Sequence, residues 1–295
     1  VNAVPAPVAL GSAPIGVFDS GVGGLSVLRH IRAQLPHEHL LYVADAGYAP
    51  YGDKPEELVA QRSLSIAAFL VERGAKALVV ACNTATVGAI KALRAAYPTM
   101  PIVGVEPGLK PAAAASASRK VGVLATYVTL HGAKFLALRE HVTAATGVQF
   151  LLQPCVGLVD QIELGDLGSS EIATLLTRYI TPLLAQGADT IVLGCTHYPL
   201  VRATIERIIA DATDQPVALV DTGDAVARQL ARLLSQAGLL RAADATPGLE
   251  AFTSASATAL ATAFSNLAGL APPVVEVIFP TPMAVAAAPA LPTGQ

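Results

Sequence analysis

Two stretches of this chain, GAKALVVAC at residues 74–82 and GADTIVLGC at 187–195, share one pattern: a glycine, an apolar run, and a cysteine eight residues after the glycine. Two further pairs accompany them. IGVFDSG (15–21) lines up with VGVLATY (121–127), and PIVGVEPG (101–108) with PVALVDTG (216–223), so that the offsets in chain order are 106, 113 and 115 residues. A single pair would mean little, because buried parallel strands are all Val/Ile/Leu runs that end at a small residue. Three ordered pairs with similar offsets indicate two copies of one fold, which a length of 295 residues accommodates.

The local patterns agree. Short apolar runs at 15–18, 40–44, 77–81, 121–124, 150–153, 190–194 and 216–220 alternate with longer helical patterns such as EELVAQRSLSIAAFLVERG from Glu56. Such alternation predicts parallel βαβ units. The expected fold is therefore α/β, with two similar doubly wound α/β domains related by a pseudo-two-fold axis and an active site in the cleft between them.

Composition removes several function classes. A net charge of −3 offers no basic patch for a phosphate backbone, which argues against a nucleic-acid partner. Mean hydropathy is high at +0.54, but alanine inflates it and no apolar run approaches the roughly 18 residues that span a bilayer, so no membrane partner is expected. Three cysteines without a C-x-x-C pair suit neither a disulfide framework nor a zinc site; the thiols read as free, in a reducing compartment, with no metal. The opening VNAVPAPVALGSAP and the Ala/Pro-rich close read as disordered tails over 1–14 and 281–295.

Cys82 and Cys195 fall at strand ends, where the ligand crevice of an open parallel sheet lies. Each precedes a helical pattern, so each thiol is expected at a helix N-terminus, a position that favours the thiolate. Two such thiols facing one another suit two-base inversion: one removes a proton from carbon while the other delivers a proton from the opposite face. Cys155, outside the matched pair, reads as a small buried residue. Around the pair, Asp19 and Ser20 open a glycine-rich turn that can offer backbone N–H groups to a carboxylate. Asn83 and Thr84 follow the first thiol, Thr196 and His197 the second, and Tyr51 and Gly52 lie in a Gly/Pro-punctuated loop, ADAGYAPYGDK.

Taken together, FDSGVGGLSV, YVADAGYAPYGDK, ACNTAT, VGVEPG, VGVLAT, LGCTHYPL, LVDTGDAVA and FTSAS, in that order from about Ile15 to Leu270, resemble the glutamate racemase family. The resemblance implies cofactor-independent interconversion of L- and D-glutamate in the bacterial cytoplasm, supplying D-glutamate for peptidoglycan. It implies Cys82 as the base acting on D-glutamate and Cys195 as the base acting on L-glutamate, with Asp19 and His197 tuning them. Asp19, Ser20, Tyr51, Gly52, Asn83, Thr84, Thr126, Thr196 and His197 match substrate-holding positions, and Glu163 and Thr129 are looser additions. It also implies a chain that crosses twice between lobes, the first taking 15–105 plus 221–280 and the second 106–220, and a homodimer. Some members bind and inhibit DNA gyrase; this sequence has no basic stripe to support that and leaves it open. The chain departs from the family at ADAGYAPYG, where members often have ADTAHFPYG, and at Gly132 and Phe135.

Rival readings are weaker. A pyridoxal phosphate racemase needs a Schiff-base lysine, and none of the six lysines follows a strand end in a recognisable motif. An aspartate racemase usually carries glutamate after its second Cys-Thr, where this chain has His197. A non-catalytic binder of acidic amino acids leaves the matched thiols unexplained.

Overall fold

A computed structural model describes residues 10–279. Strands β1 (Ile15–Asp19), β2 (Leu40–Ala44), β3 (Ala77–Val80) and β4 (Ile102–Gly104) form one parallel sheet, joined by β9 (Leu249–Thr253) and β10 (Val274–Glu276) in the order β10-β9-β2-β1-β3-β4. A second parallel sheet holds β5 (Lys120–Ala125), β6 (Gln149–Pro154), β7 (Thr190–Leu193) and β8 (Ala218–Val220) in the order β6-β5-β7-β8. The orders β2-β1-β3-β4 and β6-β5-β7-β8 are the same path drawn twice. Each strand of the three matched sequence pairs occupies the equivalent place in its sheet.

The strands form where they do because both of their faces are covered. In β1 and β3 successive side chains alternate between two cores: Ile15, Val17, Ala77 and Val79 face one, Phe18, Leu78 and Val80 the other. The second sheet repeats this, with Val121, Val123 and Val192 on one side and Leu124, Ile191 and Leu193 on the other. Near-continuous apolar runs are what a doubly covered parallel sheet demands.

Helix Glu56–Glu72 shows how local signals and packing combine. Pro55 precedes it, Glu56 and Glu57 in its first turn favour the positive end of the helix dipole, and Gly74, with φ of 82°, stops the chain just beyond it. Val59, Ile66 and Leu70 bury its inner face. Leu70 packs so closely on β1 that a Cβ at Gly16 would stand 2.9 Å from its Cδ1. Truncating Leu70 to alanine would cost about 2–5 kcal/mol.

Two readings of the sequence are revised here. Of the expected tail 1–14, residues 10–14 are docked: Leu10–Ser12 forms a short 3-10 turn, Gly11 O accepts from Lys76 Nζ, and Pro14 O accepts from Lys76 N. Residues 1–9 and the expected tail 281–295 lie outside the described residues. Strands β9 and β10 were not foreseen as strands, because LEAFT and VVE are too short and polar-interrupted to carry a period of their own. β9 pairs along the outer edge of β2, and β10 along β9 in turn.

Candidate active site

The carboxyl ends of β1, β3, β5 and β7 converge on one cleft. Asp19 ends β1, is fully buried, and accepts from the backbone N–H of Ser20 at 2.7 Å and of Gly24 at 2.5 Å, which closes the turn after the strand. Cys82 follows β3 and caps helix Asn83–Ala96: its Sγ accepts from Ala85 N at 3.4 Å and lies 3.8 Å from Ser20 Oγ. Cys195 follows β7 and lies 3.6 Å from His197 Nδ1. His197 Nε2 in turn meets Glu163 Oε1 at 2.6 Å, and that same oxygen accepts from Val22 N in the glycine turn at 2.8 Å. The two thiols are 5% and 7% exposed.

The electrostatics of the two sides differ, and this corrects the expectation that both thiols gain from a helix N-terminus. Cys82 does occupy one, yet burial and the nearby Asp19 charge push its pKa well above the ordinary thiol value, outweighing the Ala85 N–H. Cys195 precedes only a 3-10 turn, Tyr198–Val201, and its partner is an imidazole. Burial works against charge on His197, but hydrogen bonds to Cys195 and Glu163 prevail and hold its pKa well above 6.5. Burial likewise opposes charge on Glu163; the hydrogen bond and charge of His197, with Val22 N–H, overcome it and lower its pKa. Burial raises Asp19.

The remaining residues surround the thiols. Thr126 caps the short helix Tyr127–His131; its Oγ1 lies 2.9 Å from Thr129 Oγ1 and 3.2 Å from Thr84 Oγ1, so three hydroxyls meet across the cleft. Asn83 is buried, and its Nδ2 has no hydrogen-bond partner among the described residues, leaving a donor for a bound acceptor. Thr196 offers its carbonyl to Ser26 Oγ at 2.8 Å, tying the two domains together. Tyr51 is buried with its hydroxyl on Asp45 Oδ2, and Gly52 stands against Thr126. Cys155 hydrogen-bonds the Gln153 carbonyl, and burial pushes its pKa up to about 12, which keeps it a thiol.

The glycines of DSGVGG, read from the sequence as a turn that can offer backbone N–H groups, have a further role that the sequence did not show. A Cβ at Gly21 would lie 1.9 Å from Glu163 Oε1, and one at Gly23 would lie 2.3 Å from His197 Nδ1. The glycines leave room for the acid and imidazole arriving from the second domain. Tyr42 was also missed: fully buried on β2, it donates to Gly21 O at 2.9 Å and holds the turn from below. An LLYVA run carries no signal for such a role.

Residues 15–230 match the model of the Asp/Glu/Hydantoin racemase family. The chain is 57% identical over 229 residues to a glutamate racemase of Pseudomonas entomophila, covering 78% of this chain and 84% of that protein. The chain belongs to the glutamate racemases of that family. A Methylococcus capsulatus glutamate racemase is 56% identical over 241 residues, 82% of this chain and 86% of that protein. Among solved racemases, that of Escherichia coli, bound to L-glutamate and the activator UDP-MurNAc-Ala, is 33% identical with a TM-score of 0.75, covering 90% of this chain and 97% of that one. That of Francisella tularensis, bound to D-glutamate, is 25% identical with a TM-score of 0.77 over 91% of this chain and 98% of that one. Among the described residues of this racemase family member, no His/Cys/Asp/Glu group is arranged to hold a metal, and no helix is long and apolar enough to cross a membrane.

Proposed function

We propose that this chain interconverts L- and D-glutamate without a cofactor in the cytoplasm, supplying D-glutamate for peptidoglycan, with Cys82 and Cys195 as the two bases. The observation that carries the reading is the pairing itself: two buried thiols at the ends of equivalent strands, β3 and β7, near enough that the charge of Cys195 acts on Cys82. From L-glutamate, the Cys195 thiolate takes the Cα proton and the Cys82 thiol delivers its proton to the opposite face of the carbanion. That leaves a Cys195 thiol and a Cys82 thiolate, the state that acts on D-glutamate.

The supporting groups divide the work. His197, backed by Glu163, faces Cys195 with a ring nitrogen at 3.6 Å, while burial and Asp19 beside Cys82 favour its thiol. Ser20, Asn83, Thr84, Thr126 and Thr196 surround the cleft with donors for the two carboxylates and an acceptor for the ammonium, while Tyr51 and Gly52 line its edge. The names of the relatives favour glutamate over aspartate. Circular dichroism of L- and D-glutamate with purified protein, a reductant and no cofactor tests the reading. Both signals should decay to zero while aspartate keeps its own; persistence of both glutamate signals would overturn it.

A further inference from the structure

Arg62, on the helix that follows the Tyr51–Gly52 loop, is the largest fully buried side chain among the described residues at 1% exposure. A buried guanidinium is tolerated only when its donors are matched. Its Nε meets Asp45 Oδ2 at 2.9 Å and its Nη2 meets Asp45 Oδ1 at 2.7 Å, a two-pronged fork, while Nη1 donates to Phe279 O at 3.0 Å. Asp45, itself fully buried, accepts two more bonds: Tyr51 Oη at 2.5 Å on Oδ2 and Ser254 Oγ at 2.7 Å on Oδ1. All four lone-pair directions of the carboxylate are thereby used. Ser254 Oγ also accepts from Gly47 N at 3.0 Å, and the Tyr48 ring lies 3.8 Å from the guanidinium carbon.

These bonds grip one segment at four points: Asp45, Gly47, Tyr48 and Tyr51. The next residue, Gly52, meets the second domain so tightly that a Cβ there would stand 3.1 Å from Thr126 Cβ. Thr126 belongs to the hydroxyl trio beside the thiols. None of Arg62, Asp45 or Ser254 hydrogen-bonds either thiol.

We propose that Arg62 is a positioning residue: its fork on Asp45 sets loop 45–53 against Thr126 and so sets affinity for the substrate carboxylate, leaving the rate of proton transfer to the thiols. A corollary is that Tyr51 offers the substrate its backbone, because its hydroxyl is committed to Asp45. This rests on the glutamate racemase reading. Arginine is required because lysine presents a point charge and cannot bridge both carboxylate oxygens.

The test is steady-state kinetics in both directions on R62K and Y51F, after wild-type turnover of glutamate has been measured. In R62K, KM for both enantiomers should rise about tenfold with kcat within about threefold, the mark of binding lost equally in ground and transition states. Y51F, which keeps the fork and removes one of the four bonds, should raise KM less, about two- to fivefold. A purely structural role for Arg62 would instead lower the melting temperature and the folded fraction at unchanged KM. Wild-type KM in folded R62K overturns the proposal; should R62K not fold, wild-type KM in Y51F overturns it. Absence of wild-type glutamate turnover would sink the functional reading instead.

Discussion

Glu163→Gln isolates one charge. Glu163 Oε1 accepts from both Val22 N and His197 Nε2, and an amide oxygen can accept the same two bonds, so shape and register survive while the carboxylate charge goes. What is lost is the charge-assisted part of a short contact to a histidine that is 2% exposed. Hydrogen bonds to charged groups contribute about 1.5–3 kcal/mol, which corresponds to roughly ten- to a hundredfold in rate if the imidazolium is needed in the transition state. L- and D-glutamate have equal free energies, so kcat/KM must fall by the same factor in both directions, whichever thiol is acting as base. The pH profile should change as well. In the wild type the hydrogen bonds to Cys195 and Glu163 hold the His197 pKa well above 6.5 against burial; without the Glu163 charge one of those two supports weakens and the pKa falls, so activity should decline at lower pH than in the wild type. Stability follows the same pair. The contribution of His197 is complete below 6.5 and lost as pH rises through its raised value, while that of Glu163 is complete above 4.5 and lost as pH falls through its lowered one. Kinetics by circular dichroism from pH 6 to 9, with thermal melts alongside, reads all three effects. A variant with kcat/KM within about twofold of wild type and an unaltered pH profile would refute the role given to Glu163.

Cys82→Ser and Cys195→Ser should each lower kcat/KM by about three powers of ten, since a hydroxyl is far too weak an acid to replace a positioned thiol; turnover near wild type in either removes the two-base mechanism. Cys155→Ser should leave turnover within about twofold, and native-state alkylation near pH 8 followed by mass spectrometry should leave Cys155 unlabelled, because its thiol ionises only near 12. Gly23→Ala would place a methyl group 2.3 Å from His197 Nδ1, displacing the imidazole from Cys195. A shift of about 1 Å costs about a hundredfold in rate, and an alanine variant with full activity would show that the turn yields instead of the histidine.

The repeated strands and paired cysteines were legible because they are local patterns. An apolar run between glycine and cysteine states its own period, and two such runs state the duplication, so the order β2-β1-β3-β4 and its copy were half written before any coordinate. Cys82, Cys195, Asp19 and His197 could be singled out because each follows a strand or sits beside a thiol. Strands β9 and β10 could not, since they exist only as additions to an edge made by other residues. The acid behind His197 was visible only as a loose match, because Glu163 and the Val22 N–H it accepts from are 141 residues apart.

Residue periodicity therefore determined the two α/β units and the positions of the thiols. Tertiary structure decided what those thiols are: Cys82 raised by burial beside Asp19, Cys195 set against an imidazole backed by Glu163, and a glycine turn kept bare to admit both. The physical reason is that a pKa and a close approach depend on what surrounds a group in space: Asp19 reaches Cys82 from a neighbouring strand, Glu163 reaches His197 from a helix, and the glycine turn meets Glu163 and His197 from the other domain.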